Sequence, residues 1–348
     1  MVVATFCEKS KRQILRRTEE DERESVTFLQ VIDRVDPLPI GFTEYPNFKS
    51  NVYYLLAHTG TRIGFVCKFV INELQRVSPA NFEALFTVDN GRHTIQFIPD
   101  SFETRNELLE RVSLDMFKYS NIEDVKKRRN EKYAVWAEQI DKPYVLVERS
   151  MSGVLGIITY GVHCNGYTFD PVSHEIKFWI PRRSKDKPTW PSLLDNVIAG
   201  GIGYPYGVYE TLLKEALEEA NLGSSVIEPN VTASGVVSYL TYRATTDIER
   251  DDFKDEKSFI VGEVEYIYDL KLDSGVVPEP NDGEVDSFNL LSLQEVVDAL
   301  FRGEFKPNCG LVMVDFLVRH GYITAENEPN YLEIVNRIHR TLPFPTRR

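Results

Sequence analysis

Cysteine is scarce in this chain and badly spaced for metal or redox chemistry. Cys7, Cys67, Cys164 and Cys309 are scattered through 348 residues. No two of them form a CxxC pair, so the spacing implies neither a disulfide framework nor a zinc site. Long apolar runs are missing as well. No window of about 18 apolar residues occurs, which argues against a membrane-spanning helix and a membrane partner. The opening MVVATFCEKSKRQILRR has only a brief apolar stretch before its charges begin, too short for a signal peptide. Glu8 and the acids from Glu19 argue against an organellar leader, and a cytoplasmic location is expected. Positive charge is also in deficit, with 40 Lys and Arg against 53 Asp and Glu. Nucleic-acid binding needs a basic face, which this composition does not supply. His58, His93, His163, His174, His320 and His339 lack ligand spacing. P-loop, GxSxG and dinucleotide fingerprints are absent.

What is present is enough apolar sequence, 42% of residues, to bury a sizeable core. The length suits two domains. Residues 1–25 are dominated by charge and read as a solvated arm or a short surface helix. Residues 26–143 mix strand-sized and helix-sized apolar runs, VYYLLAHTG, IGFVCKFVINELQ, HTIQFI and ELLERVSLDMFKYS, and read as an α+β domain of undisclosed role. From residue 144 to 340 the pattern changes. VLGIITYGVHCNGYTF, HEIKFWI, NVIAGG, VTASGVVSYLTY and SFIVGEVEYIYDLKL read as strands, and LSLQEVVDALF and CGLVMVDFLVRHG as late helices. Strands with interspersed helices predict an α/β/α sandwich around a mixed sheet. Residues 341–348 are left as a tail. The net charge of −13 suits a cationic small molecule or an anion delivered through a bound metal; it also serves solubility alone.

The clearest helix is YETLLKEALEEANL. At about 100° per residue, Tyr209, Leu212, Leu213, Ala216, Leu217 and Ala220 form one apolar stripe, predicted to face the core. Glu215, Glu218 and Glu219 share a separate arc beside it, and Glu210 and Lys214 are spaced as a stabilising i,i+4 pair. Three acids on one arc repel one another, and two of them near the helix end oppose the macrodipole. A divalent cation reverses the sign of these terms. A merely solvated acidic face is the alternative for a bare EXXEE. The glycine-rich Gly200-Gly201-Ile202-Gly203 ahead of the helix changes the balance, because it permits close backbone approach to phosphate oxygens.

The stretch GGIGYPYGVYETLLKEALEEANL resembles the Nudix box, G-x5-E-x7-R-E-U-x-E-E-x-G-U, with U a bulky apolar residue. Gly200 matches the first glycine, Glu215, Glu218 and Glu219 match the three core glutamates, and Leu222 matches the final apolar position. Four positions depart from the pattern: Tyr206 for the loop glutamate, Lys214 for the arginine, Ala216 for a bulky residue and Asn221 for the late glycine. Trp179 to Ser184, Thr189 to Asn196, Pro280 to Phe288 and GEFKPNCGLVMVDFLVRHGYI extend the likeness across residues 26–340. Together they resemble a eukaryotic Nudix subfamily related to the non-kinase part of fungal thiamine pyrophosphokinase fusions.

The resemblance implies a Nudix sandwich preceded by the extra α+β domain, and Mg²⁺, or Mn²⁺ in its place, bound by Glu215, Glu218 and Glu219. It also implies hydrolysis of thiamine diphosphate or its oxidised forms to the monophosphate. A nucleotide diphosphatase of the 8-oxo-dGTP type shares the same chemistry. A catalytically silent domain binding a diphosphate ligand or a protein is the alternative of another class, and Tyr206 favours it. Glu219 is expected at the chemistry. Glu284, in the turn NDGEVDSF, is the candidate general base or further metal ligand; an ordinary turn acid is the other reading. Arg182 or Arg183 is expected to clamp a phosphate, only one facing the site because residues alternate along a strand, unless both belong to a basic surface loop. Trp190 offers a ring for stacking on a cationic heterocycle or a structural anchor. Gly200 and Gly201 are expected against the substrate. The partner is a small-molecule diphosphate, and the chain is expected as a monomer or homodimer.

Overall fold

The computed structural model describes residues 2–7, 12–24, 26–138 and 142–347. Fourteen strands are named here in chain order. A hairpin of β1 (Val3–Cys7) and β2 (Arg12–Arg16) comes first. A four-stranded sheet follows in the order β4-β3-β6-β5, from β3 (Val52–Leu56), β4 (Arg62–Cys67), β5 (Phe86–Asp89) and β6 (Thr94–Phe97). Helices Lys68–Val77 and Pro79–Leu85 pack on it, and Phe102–Tyr119 packs on both of them and on Val145–Glu148. A second hairpin, β7 (Lys132–Val135) with β8 (Val145–Glu148), leads to the principal sheet.

That sheet has six strands, β9 (Ile158–Phe169), β10 (Ile176–Arg183), β11 (Ile198–Gly201), β12 (Val231–Tyr242), β13 (Ile260–Lys271) and β14 (Val285–Ser292). Their order is β12-β13-β9-β10-β14, with β11 also paired to β9. The β13–β9 pair is parallel and the others are antiparallel, so the sheet is mixed as expected. Alternation along the strands sends side chains to opposite faces. Val162, Cys164, Val264 and Leu270 join one apolar cluster with Leu212, Ala216 and Ala220 of the helix Val208–Ala220. Phe178, Val237 and Ile267 join another with helices Leu293–Arg302 and Pro307–Arg319. Helices therefore cover both faces, and the fold is an α/β/α sandwich preceded by further α+β structure. No helix among the described residues is long and apolar enough to cross a membrane.

The opening segment reads in the sequence as a solvated arm or a short surface helix; a short helix does form at Glu19–Arg23, but residues 2–7 and 12–16 differ from a solvated arm. In RQILR the alternation buries Gln13 and Leu15 while the arginines stay exposed. Gln294 fastens the hairpin, accepting from Ala4 N at 2.7 Å and donating to Val2 O at 3.0 Å. Arg12 and Arg16 lie on the exposed side of a docked hairpin; residues 8–11 and 25 lie outside the described residues. Helix Leu29–Asp33 packs on Pro307–Arg319, so these residues join the late helices and not the four-stranded sheet. Pro143, expected at a boundary, lies in the β7–β8 connection, and one apolar cluster runs from Leu38 to Phe344. The tail is docked too: Phe344 is buried in that cluster, and Arg347 N donates to Tyr160 Oη at 2.9 Å.

Candidate active site

The helix Val208–Ala220 begins at Gly207, whose N–H is capped by the Glu210 carboxylate at 2.8 Å. It ends at Asn221 with φ 54°, the left-handed conformation that asparagine tolerates in place of glycine. Its orientation corrects two sequence expectations. Tyr209 and Leu217 are 41% and 51% exposed, while Glu219 is only 7% exposed. The row Leu212, Ala216, Ala220 meets the sheet, and the adjoining row turns Glu215 and Glu219 toward β11. A stripe averaged over apolar residues misses this, because a carboxylate row beside the core is held by backbone rather than by burial of apolar area. Lys214 also does not pair with Glu210. Its ammonium contacts Glu215 at 3.1 Å and Glu218 at 2.7 Å, since Glu210 is engaged by the helix cap.

The glycine loop positions the acids. Glu219 Oε2 accepts from Ala199 N at 3.0 Å. Burial, then the nearby Asp195 charge, pushes its pKa up to about 8. Burial likewise raises Glu215, with contributions from Glu218 and Glu284, against the lowering effect of Lys214. A Cβ at Gly200 would fall 2.4 Å from Glu215 Cγ and Cδ, so only glycine admits this carboxylate against β11. Gly200→Ala is therefore expected to displace Glu215 and weaken divalent-metal binding by roughly 10–100-fold, read by Mn²⁺ titration under electron paramagnetic resonance. Unchanged metal affinity in that variant would remove Glu215 from the site.

Glu284 is brought to the same place and pairs with Lys187. Burial pushes its carboxyl up, but the Lys187 bond and charge outweigh it and hold it below the ordinary value. Arg183 is buried and donates to Asp195 Oδ2 at 2.6 Å, Trp190 O at 3.0 Å and Thr189 O at 3.1 Å. Arg182 donates to Ser192 O at 2.7 Å. Both guanidinium groups hold the 189–195 loop, and the buried Asp195 captures Arg183, one of the two considered for a phosphate clamp. Trp190 has φ 52° and is 44% exposed, so its ring is accessible. Tyr206 is 49% exposed, and Gly201 lies under Tyr133, whose hydroxyl would be 2.5 Å from an added Cβ.

Sequence reading missed the polar network behind these acids. Cys309 Sγ donates to Asp195 Oδ1 at 2.6 Å, and His163 Nδ1 lies 3.8 Å from the same sulfur and 2.8 Å from Asn196 Oδ1. His163, Asp195 and Cys309 are the group among the described residues whose ligand atoms all lie within 4.8 Å of one another. Each already has a partner, and Asp195 is neutralised by Arg183. The three come from separate segments, so spacing could not reveal them.

Acids on one face of β13 were legible in principle, because VGEVEYIYD places Glu263, Glu265 and Asp269 at even spacing within an apolar strand. Tyr239 Oη lies 2.6 Å from Glu263 and 2.8 Å from Glu265. Burial, then the Glu265 charge, pushes Glu263 up to about 7. Glu265, Tyr239, His163, Lys306 and Tyr133 are the titratable groups around it. A carboxyl raised on folding adds stability that is fully present below its unfolded pKa and is lost as pH rises through about 7. Glu263→Gln should therefore flatten the decline in Tm between roughly pH 5 and 8. A decline identical to that of the parent protein would contradict the raised value.

The volume of a hollow does not mark the chemistry here. A groove of about 850 Å³ lies on the early α+β region, lined by residues such as Tyr53, Lys68 and Phe86, and none of the acids above reaches it. Residues 43–159 match a family model described as a domain of unknown function, DUF4743. The chain is 59% identical to the uncharacterized protein YJR142W of Saccharomyces cerevisiae, over 97% of this chain and 98% of that one. It is 34% identical to the chloroplastic Nudix hydrolase 24 of Arabidopsis thaliana over 74% of this chain, a match spanning 66% of the plant protein. The chain belongs to the Nudix superfamily. A solved structure, DR0079 from Deinococcus radiodurans, aligns at 17% identity and a TM-score of 0.35, covering 53% of this chain and 98% of that one.

In this Nudix protein the box glutamates are oxygen donors, the type that Mg²⁺ takes. The Gly200 cradle and the buried, singly hydrogen-bonded Glu219 fit such an ion. Lys214 already sets one positive charge between Glu215 and Glu218.

Proposed function

We propose that this Nudix protein hydrolyses the diphosphate linkage of an organic diphosphate, with Mg²⁺ or Mn²⁺ bound by Glu215, Glu218 and Glu219. Thiamine diphosphate and its oxidised forms are the substrates put first, with an 8-oxo-dGTP-type nucleotide as the runner-up. The observation that carries the reading is Glu219, a carboxyl buried at the β11 edge and fixed by Ala199 N, beside a glycine that admits Glu215.

When bound, a divalent ion lowers the pKa of water and neutralises charge on the attacked phosphate. The chain's own residues do the remainder. Glu215 and Glu219 present ligand oxygens at the β11 edge, and Arg183 holds the loop carrying Trp190 in place. Glu284, kept ionised by Lys187, takes the proton of the attacking water. The water oxygen forms a bond to phosphorus and the bridging P–O bond breaks; a diphosphate leaves as monophosphate and inorganic phosphate, a nucleoside triphosphate as monophosphate and pyrophosphate.

The test is a panel of thiamine diphosphate, its oxidised analogues, 8-oxo-dGTP and ADP-ribose, each with and without Mg²⁺, monitored for monophosphate and phosphate release. Metal-dependent turnover of at least one is expected. Turnover of none, with binding retained, would replace the enzyme by a diphosphate-binding module.

A further inference from the structure

We propose that the segment ahead of the principal sheet completes the active site, with Arg129 and Arg149 gripping the phosphate next to the one held by the metal. The two arginines then select a chain of at least two phosphates, and a monophosphate product is let go. The proposal rests on the diphosphatase reading for the chemistry and adds the residues that recognise the substrate. Both arginines fall within residues 43–159, the stretch matched by the family model of unknown function, and they give that stretch a role.

The hairpin of β7 and β8 lies along the glycine loop at three successive points. Tyr133 covers Gly201, where an added Cβ would fall 2.5 Å from its hydroxyl. Tyr204 N donates to Lys132 O at 2.7 Å, and a Cβ at Gly203 would fall 3.0 Å from Glu131 Oε1. Across the hairpin Arg149 N donates to Glu131 O at 2.9 Å, so the Arg149 side chain leaves the hairpin beside this loop. Its guanidinium is aimed by its partner and stays open. Nη1 donates to Glu131 Oε2 at 2.7 Å, Nε and Nη2 have no acceptor among the described residues, and the side chain is 36% exposed. Burial disfavours its charge, but Tyr133, Glu131 and then Glu215 favour it. The guanidinium thus lies within electrostatic reach of the first metal-binding carboxylate.

Arg129 stands on the turn that enters β7. The buried Glu148 fixes this turn, accepting from Arg129 N at 2.9 Å with Arg128 Nη1 at 3.8 Å. The Arg129 side chain is exposed, and its guanidinium makes no hydrogen bond or ion pair with the described residues. Burial raises the Glu284 carboxyl, and the Arg129 charge joins Lys187 in lowering it. An unpartnered guanidinium therefore lies on the Glu284 side of the centre and a half-open one on the Glu215 side.

The neighbouring cations are already committed. Lys214 is bound by Glu215 and Glu218, and Lys187 by Glu284. Arg183 is held by Asp195 and Arg182 by Ser192 O. Glu215, Glu218, Glu219 and Glu284 outnumber Lys187 and Lys214, so a divalent ion joining them leaves little positive charge for a diphosphate. Two guanidinium forks, whose parallel N–H groups match paired phosphate oxygens, supply that charge from the hairpin side of the glycine loop.

The test separates the grip on phosphate from hydrolysis. Methylenediphosphonate, which has no P–O–P bridge to cleave, and methylphosphonate are titrated calorimetrically into the full chain with Mg²⁺ in excess. The parent chain is expected to bind the diphosphonate more tightly than the monophosphonate. Arg129→Met and Arg149→Met are each expected to weaken diphosphonate binding by about 10–100-fold, the usual effect of losing charge-assisted hydrogen bonds, while Mn²⁺ affinity and the thermal melt are retained. Should Arg149→Met fail to fold, Arg149→Lys keeps a charge for Glu131, loses the fork and carries the same direction; Arg129→Met removes no hydrogen bond of the fold. Equal diphosphonate affinity in parent and variants, or no binding by the parent, overturns the clamp. Arginine-dependent binding without hydrolysis of any diphosphate would support the clamp and overturn only the proposed catalysis. Hydrolysis with KM unchanged in both variants would overturn the clamp and leave the catalysis standing.

Discussion

Glu219→Gln is expected to abolish metal-dependent turnover, lowering kcat by about three orders of magnitude, with the fold intact. The substitution conserves shape, and the amide oxygen can still accept from Ala199 N. What disappears is the negative charge. In the absence of a cation that charge is costly where Glu219 lies: burial and Asp195 drive its pKa to about 8, so at neutral pH the protonated acid is favoured and glutamine resembles it. Thermal stability near pH 7 should therefore be unchanged or raised. A divalent ion, by contrast, binds the ionised carboxylate, and Mn²⁺ affinity should fall with activity. Parent-like rates at saturating Mg²⁺ would end the assignment of Glu219 as an essential anionic ligand, because the amide keeps an oxygen but not the charge.

This opposition between what a helix prefers and what its site requires also explains how far the sequence could be read. The strands of the principal sheet were legible from β-branched alternation, and β12 and β13 coincide with VTASGVVSYLTY and most of SFIVGEVEYIYDLKL. The late helices were legible from their apolar spacing. In the charged opening the short helix was among the readings, but the docked hairpin was not, because composition weighs every residue alike, whereas Leu15 and Gln13 of β2 are buried and Gln294 and Asn327 bind the hairpin backbone. Similarly, the apolar stripe on the carboxylate helix pointed to Tyr209 and Leu217, which are exposed, because packing is settled by the Leu212, Ala216, Ala220 row together with a backbone N–H donated from β11.

The site was legible only where its residues are neighbours in the chain. Glu215, Glu218 and Glu219 belong to one helix, and Gly200 precedes it by a short loop. The groups that surround them come from far apart: Tyr133 from β7, His163 from β9, Asp195 from the 189–195 loop, and Lys306, Asn308 and Cys309 from the start of a late helix. They converge through long-range contacts, such as Cys309 with Asp195 and His163 with Asn196, and through the pairing of β11 with β9, which no local pattern encodes. The two arginines show the same limit. Alternation on β10 was expected to turn only one of them toward the acids; the strand's pairing is irregular between Arg182 and Arg183, and Asp195, invisible to that argument, decides what Arg183 holds.

Asp195→Ala is expected to destabilise the protein by about 3–5 kcal/mol in urea unfolding, the usual effect of removing one partner from a buried ion pair. Burial pushes the Asp195 carboxyl up, but Lys306, Arg183, the Cys309 thiol and His163 together hold it below its ordinary value. It is therefore a buried anion surrounded by donors. Without it Arg183 keeps its charge beneath the surface with only the Trp190 and Thr189 carbonyls, and Asn196 N and Cys309 Sγ lose their acceptor. Asp195→Asn retains the shape and one acceptor and should lose less. The loop carrying Lys187, the partner of Glu284, depends on this anchor, so both variants should lower kcat/KM more than their loss of stability alone requires at temperatures where the fold persists. A loss of stability below about 1 kcal/mol in Asp195→Ala would mean that Arg183 finds water on its own. The network would then be peripheral to the site instead of the rigid support beneath it. Zn²⁺ gives an independent check when Mg²⁺ already saturates the glutamates: with His163, Asp195 and Cys309 satisfied by one another, any further rise in Tm on its addition should be the same in the parent chain and in Cys309→Ser, whereas a binding site there would make the rise depend on Cys309.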